Sequence, residues 1–460
     1  TQITPRHFDS LTMNISTENA NQKVANNIGW GNDNVSIAFS YRKAKNGQTP
    51  EGKLLNNQYR QLSASFLANS QVGDDLKLTF LFLPSYSKDV GKANSDNFLT
   101  KKLTIYPKEL HVVSQLGLIS DDWQLNLAMH QQALDTSVLR FKKRENYVRS
   151  KSTDYTFNFI KDFSFSNALF TEFSGQWGID QQYRDKVKAF ERQSTFHQQE
   201  GLEPDNYSIQ QGAWSQNLSA SQYEAALFSN INVNWSSLYL GAGARLNYVS
   251  QQSQQDRRQA NKNFSDNHLT GFGSLRYEFT PKLNIYAAIS RGFRYPSLSE
   301  RFYSGTTGRG KTLGNINLKA ETSLNREMTL QYKVNNDQGI NYQANLAVFD
   351  HEIKNYIERI QVDENTRSYK NVGSGRIKGL ELSLQTNLSA QLNVILSGHY
   401  LTGKAEDNRP LSDISANKIQ LAFNYQETHW QAQLKFKHRL NKSHYTAGEQ
   451  FLPKVNTLQA

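Results

Sequence analysis

The sequence predicts an all-β protein, an antiparallel β-barrel that crosses a membrane with its strands. Three observations predict this fold. Apolar residues recur at every second position through most of the chain, as in strands with one face in lipid and the other in water. Short and long connections alternate between these strands. The mean hydropathy of -0.68 and the lack of any run of about 18 apolar residues exclude membrane-spanning helices.

The alternation marks each strand in turn. In one of the clearest, Leu238, Leu240 and Leu246 alternate with Tyr239 and Asn247. The same pattern begins at Leu76, Trp123, Tyr223 and Trp430. Counting such segments gives about nineteen strands, each near the 9–11 residues that a tilted membrane strand requires. The last strand runs through 430–440, and no closing strand is predicted after it.

Connection length distinguishes the two ends of the predicted barrel. Short turns fall at 31–34, 70–75, 119–122, 161–166, 279–283, 335–339, 387–391 and 426–429. Long polar segments fall at 43–56, 83–108, 131–152, 178–220, 251–266, 291–322, 352–371 and 402–414. This asymmetry is typical of outer-membrane barrels, with short periplasmic turns and long extracellular loops. Tryptophans close to short turns predict a periplasmic aromatic belt: Trp30, Trp123, Trp235 and Trp430.

Composition limits the possible functions. The 460 residues contain no Cys, which excludes disulfides and thiolate metal sites. The net charge of +11 predicts attraction to anions or simply a solvated basic surface, and no Lys/Arg run indicates nucleic acid. No His/carboxylate spacing indicates a metal site, and no nucleophile triad or carboxylate pair indicates an enzyme. We therefore expect no catalysis, no bound metal and no covalently bound cofactor.

One motif points to a different class of protein. Gly305–Thr312 reads GTTGRGKT, which matches the phosphate-binding pattern GxxxxGK[ST], with Lys311 and Thr312 as the phosphate and magnesium contacts. That chemistry requires a buried parallel strand before the loop and a helix after it. Here SERFYS precedes the motif and LGNINLKAETS follows it. We reject the nucleotide-binding interpretation, which ATP binding to the wild type but not to Lys311→Ala would restore.

Three further motifs point to a family. The segments RGFRYPSLSERF, GNINLKAETS and NVGSGRIKGLELSL occur in this order, and YPKELH lies upstream. Together they resemble the barrel of TonB-dependent outer-membrane receptors. The resemblance implies a barrel of about twenty-two strands, of which about nineteen are present. Residues 1–10 are then a stub that follows a missing plug domain and TonB box, and residues 11–460 are a barrel that is incomplete at its C-terminus.

The residues that carry the resemblance are expected to be structural. Glu327 and Glu381 occupy inward positions of their strands, where they could pair with Lys333, Arg376 or Lys378 in the lumen. The motif residues are Phe293, Arg294, Pro296, Glu300, Gly314, Asn315, Asn317, Leu318, Glu321, Glu327, Gly379 and Glu381.

The longest predicted loop, 178–220, is the candidate substrate site. Its aromatic and guanidinium side chains suit an anionic, aromatic iron chelate, although a loop that faces lipopolysaccharide would have a similar composition. Tyr303 and Arg309 could contribute from the motif segment. The predicted substrate-binding residues of the long loop are Tyr183, Arg184, Phe190, Arg192, Phe196 and Trp214, with Tyr207 nearby.

The resemblance implies a transport receptor in the outer membrane of a Gram-negative bacterium. Its expected partners are TonB, reached through the missing plug, the outer-membrane lipid and lipopolysaccharide, and an extracellular iron chelate. We expect a ferric siderophore as the transported ligand. Haem receptors of this family carry a histidine between the motifs FRAP and NPNL, and no His lies between Phe293 and Leu318. A haem or cobalamin receptor and a passive porin remain as alternatives.

Overall fold

A computed structural model describes residues 10–18, 21–49, 51–92, 103–140, 143–166, 172–198, 207–253, 262–307, 310–335, 341–411, 414–442, 445, 449 and 451–459. The first half of the chain forms β1 (Thr12–Glu18), β2 (Lys23–Gly31), β3 (Val35–Ala44), β4 (Tyr59–Val72), β5 (Leu76–Gly91), β6 (Leu103–Ile119), β7 (Trp123–Arg140), β8 (Arg144–Phe165), β9 (Glu172–Gln198), β10 (Tyr207–Gln211) and β11 (Ser215–Trp235). The second half forms β12 (Leu238–Ser253), β13 (Lys262–Thr280), β14 (Leu283–Arg294), α1 (Leu298–Phe302), β15 (Ser304–Thr307), β16 (Gly310–Leu313), β17 (Glu321–Asn335), β18 (Asn341–Lys354), β19 (Ile357–Gln361), β20 (Thr366–Asn371), β21 (Ser374–Asn387), β22 (Leu392–Ala405), β23 (Lys418–Gln426), β24 (Gln431–Arg439) and β25 (Val455–Gln459).

Most strands belong to one antiparallel sheet in which each pairs with the next. The order runs from β1 to β9, then through β11–β14, β17, β18 and β21–β25, while β10 pairs on the side of β9. This order confirms the predicted all-β antiparallel fold. Within the described ranges this succession contains twenty strands, where the sequence predicted about nineteen. One of them is β25, whose five residues pair with Lys435–Arg439 beyond the last strand that the sequence predicted.

The outward face of the sheet is apolar across neighbouring strands. Leu227, Leu246 and Leu269 lie opposite one another in the register, and they are 56%, 55% and 61% exposed. A row of exposed leucines across three strands is the surface expected next to acyl chains. The side chains between these positions point inward, where the Nη1 of Arg245 bonds to Asp180.

Aromatic side chains border the apolar band at the end with the short turns. Trp123 begins β7 and Trp235 ends β11. Trp123 and Trp177 both contact Phe159, with ring centroids 6.3 and 5.5 Å apart, and Trp430 stacks on Tyr425 at 4.7 Å. These positions place indole rings at the predicted periplasmic interface.

Several predicted loops are strands that continue beyond the membrane. The segments 131–152 and 178–220 lie largely in β7, β8, β9 and β11, and β9 alone has 27 residues. About 9–11 residues are enough to cross the bilayer, so the remainder stands in water. In water both faces of a strand can be polar while strand pairing still satisfies the backbone. The sequence of these strand ends therefore shows no apolar alternation. The predicted turn at 161–166 is likewise mostly the end of β8.

No helix within the residues described is both long and apolar enough to cross a bilayer.

Leu330 tests which face of the sheet contacts lipid. Its side chain lies opposite Leu346 on the outward face, and the neighbouring Thr329 points inward. We expect Leu330→Arg to lower the free energy of unfolding by about 2–4 kcal/mol and Thr329→Arg to lower it by less than about 1 kcal/mol. Urea unfolding in lipid vesicles measures both. Equal losses for the two variants would contradict the assigned faces.

Candidate functional site

A short helix lies just beyond the end of β14. Ser297 caps α1: its Oγ accepts a bond from the Glu300 N–H at 3.2 Å, and the Glu300 carboxylate accepts from the Ser297 N–H at 2.8 Å. This capping box supports a single helical turn that would be unstable alone. Leu298 and Phe302 are the buried apolar side chains of that turn.

The helix packs on the inward side of the extracellular strand ends. Leu298 and Phe302 form one buried cluster with Ala189, Leu218 and Ala220 of β9 and β11. Because these strand positions alternate with outward ones, the segment after β14 turns back over the mouth of the barrel. The sequence predicted only a long polar loop here.

Arg301 joins the helix to the barrel wall. It is only 3% exposed, and its guanidinium lies 4.5 Å from the Phe264 ring centroid and 4.7 Å from that of Tyr295. Its Nη1 donates to Gln251 at 3.2 Å and to the Tyr295 hydroxyl at 3.0 Å, and its Nη2 donates to the Leu318 carbonyl. Stacking and neutral acceptors therefore compensate a buried cation.

Carboxylates connect the segment to the following loops. Arg294 donates from Nε to Glu321 at 2.6 Å and from Nη1 to Glu300 at 2.8 Å. The second oxygen of Glu321 accepts from the Ile357 N–H at 2.6 Å. Glu321 thus bonds both to the end of β14 and to the start of β19, which lie far apart in the sequence.

Gly314 and Asn315 complete this arrangement, which we call the loop latch (residues 294–302 and 314–321). A Cβ on Gly314 would lie 2.6 Å from the carbonyl carbon and oxygen of Arg301, so only glycine fits. The Asn315 N–H donates to Glu300 O, and its Nδ2 donates to Tyr369 O, both at 2.8 Å.

Most of the predicted motif residues lie in the loop latch or beside it. Pro296 O accepts from Gln251, Asn317 N–H donates to Asn315 and Leu318 is buried. Phe293 stacks on His268 with ring centroids 4.4 Å apart.

The predicted partners of the strand glutamates were wrong in part. Glu327 faces inward, but its described ion pair is with His351 at 3.1 Å. Arg376 instead pairs with Asp350, and both Arg376 and Lys378 lie on the same, outward face of β21 as Leu380. Glu381 lies inward opposite His399. At Gly379, a Cβ would lie 2.6 Å from the Phe349 ring, which explains the glycine.

The predicted substrate residues do not form one site. Tyr183 faces outward and stacks on Tyr155 with centroids 6.5 Å apart, whereas its neighbour Arg184 faces the lumen and pairs with Asp154 at 2.8 Å. Phe190 and Arg192 lie on the outward face of β9, and Phe196 lies near its end. Because neighbouring residues of a strand point to opposite faces, the aromatic and arginine residues grouped in one predicted loop lie on different sides of the sheet.

Two of the predicted residues do meet, with partners that the sequence did not indicate. The Arg192 guanidinium lies 5.1 Å from the Trp214 ring centroid, and Arg149 lies 4.7 Å from the same ring. Tyr147 meets Trp214 edge-on at 6.1 Å.

Tyr303 lies inward, beside the loop latch. Its hydroxyl is 3.5 Å from Asn217 Nδ2, and burial raises the pKa of Tyr303. Arg309 lies outside the described residues, as does Gly308.

Segments of the extracellular loops form a second, four-stranded sheet. It consists of β15, β16, β20 and β19, and we call it the loop sheet. Lys311 lies in β16 opposite Thr366 of β20. The GKT motif is therefore a strand that pairs with β15 and β20 rather than the start of a helix, which confirms the rejection of a nucleotide-binding loop.

One face of the loop sheet is rich in arginine. Arg359 lies opposite Tyr369, and Arg367 lies two residues along β20 on the same face. Burial raises the pKa of Tyr369, so its hydroxyl stays protonated at neutral pH. Two guanidiniums beside an aromatic ring can bind an anion through paired hydrogen bonds and stacking. No local pattern in the sequence indicates these three residues, because their pairing is visible only in the fold.

A lipid-facing antiparallel sheet with an aromatic border at the short-turn end and a polar inner face is the architecture of an outer-membrane β-barrel. Residues 3–457 match the family model described as "TonB dependent receptor-like, beta-barrel". The chain belongs to this family and so to the bacterial outer membrane.

Relatives and solved structures agree with that assignment. The chain is similar to "Heme/hemopexin utilization protein C" of Haemophilus influenzae (strain 86-028NP), at 27% identity over 213 residues, 39% of this chain and 29% of that protein. It is also similar to the "Iron-regulated outer membrane virulence protein" of Vibrio cholerae, at 24% identity over 170 residues, 33% of this chain and 26% of that protein. The matches thus span less than a third of these relatives.

Two solved structures share the fold. The copper transporter OprC superposes with a TM-score of 0.75 at 15% identity, over 99% of this chain and 72% of that one. The Serratia marcescens hemophore receptor HasR, in complex with HasA and heme, gives a TM-score of 0.73 at 13% identity, over 97% and 74%. At these identities the likeness supports the fold alone.

Gly314→Ala tests the loop latch. The added methyl group would collide with Arg301 backbone atoms, and we expect the loop to be destabilised by about 1–3 kcal/mol. Limited proteolysis with trypsin should cut faster near Lys311, while the barrel strands stay protected. Gly273→Ala is the control, because its nearest neighbour would be 3.9 Å away. The same cleavage rate in both variants would show that the close approach at Gly314 does not hold the loop.

Proposed function

We propose that this barrel belongs to a receptor that imports an anionic iron complex, with energy supplied through TonB. The observation that carries the proposal is the arginine face of the loop sheet, placed beside the loop latch at the barrel mouth. Arg359 lies opposite Tyr369 and Arg367 lies on the same face, so both guanidiniums offer donors beside the ring. Charge-assisted bonds of this type select carboxylate, catecholate or hydroxamate oxygen atoms. The chain itself contributes binding and a lumen, and no covalent step is required.

The latch explains how the loop sheet could be held ready for a ligand. Asn315 donates to Tyr369 O, and Glu321 accepts from the Ile357 N–H, so β19 and β20 are both bonded to latch residues. Asn371 Oδ1 also accepts from the Lys319 N–H at 2.9 Å. A binding face held in this way loses less conformational entropy when a ligand binds.

We propose a ferric siderophore as the ligand. Its support is the combination of arginines and an aromatic ring on the loop sheet, together with the lack of histidine between Phe293 and Leu318. Haem is the second candidate, because the Haemophilus influenzae relatives carry heme in their names. Both are anionic iron complexes, so charge alone does not distinguish them.

An uptake experiment tests the proposed function. Cells that carry the full-length gene receive radiolabelled ferric siderophores, haem and cobalamin in parallel. We expect siderophore uptake that stops when the proton-motive force is dissipated. Haem uptake alone would overturn the choice of ligand, and uptake that is insensitive to an uncoupler would indicate a passive porin.

Arg359→Gln/Arg367→Gln tests the loop sheet within the same assay. Loss of two charge-assisted bonds should weaken apparent ligand affinity by about tenfold or more. The control is Lys77→Gln/Lys282→Gln, which removes two charges beside the periplasmic turns. Equal affinity in the two variants would show that the ligand binds elsewhere, even if transport itself is confirmed.

A further inference from the structure

An apolar groove lies on the outward face of the sheet between β5 and β11. Side chains from consecutive strands line it, and polar atoms contribute little of its surface. Its principal lining residues are Phe80, Leu116, Leu127, Met129, Tyr155 and Tyr183. The groove faces the acyl chains of the outer membrane, so an acyl chain can occupy it without displacing ordered water.

Four cations lie on the same face, beyond the extracellular end of this groove. We call Arg149, Lys151, Lys188 and Arg192 the outer basic patch. Lys151 and Lys188 lie directly opposite each other on β8 and β9. Among the residues described, no carboxylate lies within 4.0 Å of either ammonium group. Like charges opposite one another on neighbouring strands are destabilising, so an anion between them would stabilise the pair.

The two arginines of the patch are held in place by aromatic rings. Trp214 contacts both guanidiniums, at 4.7 Å for Arg149 and 5.1 Å for Arg192. The carboxylate of Asp135 is 3.7 Å from Arg149 Nε, and Arg192 Nη1 donates to Gln211 at 2.9 Å. Asp185 lies on the same face between Tyr183 and Lys188, where it accepts from the Tyr183 hydroxyl at 3.4 Å and pairs with Lys186 at 3.9 Å. Two carboxylates therefore accompany five cations, and the face keeps an excess of positive charge.

The distance between groove and patch matches a lipid headgroup. Lys151 is four residues beyond Tyr155 along β8. Lys188 is five beyond Tyr183 along β9, where a β-bulge at Lys186 returns it to the same face. At about 3.3 Å per residue and a strand tilt of about 45°, the lysines lie roughly 10 Å above the tyrosines. Tyrosines of barrels mark the membrane interface, so the lysines stand at the level of phosphate groups.

We propose that the groove and the outer basic patch together bind a phosphorylated, acylated glycolipid of the outer leaflet, of the lipid A class. A phosphate group would lie between Lys151 and Lys188, and one acyl chain would lie against Tyr155, Tyr183 and Leu127. This lipid site depends on the membrane location of the barrel and is independent of which iron complex the receptor imports. It also gives a role to Arg192 and Trp214, which face away from the lumen.

Lipid binding to the full-length receptor in detergent tests this site. The probes are diphosphorylated lipid A, its monophosphorylated form and inorganic phosphate, and the readouts are native mass spectrometry and the thermal unfolding midpoint. We expect binding of diphosphorylated lipid A, weaker binding of the monophosphorylated form, and none of inorganic phosphate. Lys151→Gln/Lys188→Gln should weaken lipid A binding by about tenfold or more. Lys161→Gln, on the outward face of β8 at its periplasmic end, should not change it.

Two results would overturn the proposal. One is equal lipid A affinity in the wild type and the double variant, which would mean that the lysines do not bind phosphate. The other is inorganic phosphate binding as tightly as the lipid, which would identify a site for soluble anions. In lipid-free detergent the double variant should unfold at the same temperature as the wild type or higher, because the repulsion between the lysines is removed. A lower midpoint there would contradict the charge argument independently of any lipid.

Discussion

Pairing of backbone N–H and C=O groups is the constraint on which the structure depends. In hydrocarbon each unpaired group costs several kcal/mol, and a strand satisfies its own groups only through both neighbours. In the succession from β1 to β25, every strand between these two pairs with a neighbour on each side, whereas β1 and β25 each have one partner among the described residues. The side-chain pattern then follows. A register shift of one residue would move Arg184 from the lumen into the outward face and Tyr183 into the lumen.

Outside the membrane, on the extracellular side, backbone groups no longer have to pair within the sheet, and the chain there is less regular. Water satisfies backbone groups, so loops can leave the sheet and fold back over the mouth. The requirement for hydrogen-bond partners then applies mainly to the polar side chains that the loops bury. Gln251, Glu321 and the two Nη atoms of Arg301 do so with neutral or charged groups on several segments, whereas Arg301 Nε has no hydrogen-bond partner among the described residues. The loop latch is therefore held by hydrogen bonds between distant segments as much as by the buried cluster of Leu298 and Phe302.

Much of the fold could be predicted because alternation acts at every position. It revealed the strands that cross the membrane, the two faces and six of the eight short turns. The turn predicted at 161–166 lies mostly in β8, and residues 336–339 of the turn predicted at 335–339 lie outside the described residues. It did not reveal how far β9 extends, because polar residues occupy both faces of its extracellular part. The Ser297–Glu300 spacing was a visible capping signal for α1, but one helical turn is too short for periodicity to indicate.

The candidate site was harder to predict for a related reason. Grouping aromatic and arginine residues by their loop placed Tyr183 with Arg184, although adjacent residues in a strand point to opposite sides. The loop sheet pairs β16 with β20, more than fifty residues apart, and no local pattern indicates such a pairing. Two of the motif residues lie at tightly constrained positions: Gly314 lies against the Arg301 backbone, and the Glu321 carboxylate bonds to Arg294 and to the Ile357 N–H.

The most direct test is a scan of lipid and water accessibility along β7. The protein has no cysteine of its own, so single Cys substitutions from Leu125 to His130 can each carry a spin label in reconstituted membranes. We predict that labels at 125, 127 and 129 collide with dissolved oxygen, whereas labels at 126, 128 and 130 are shielded from it. A period near 3.6 residues, or uniform exposure to water, would contradict a sheet with one face in lipid.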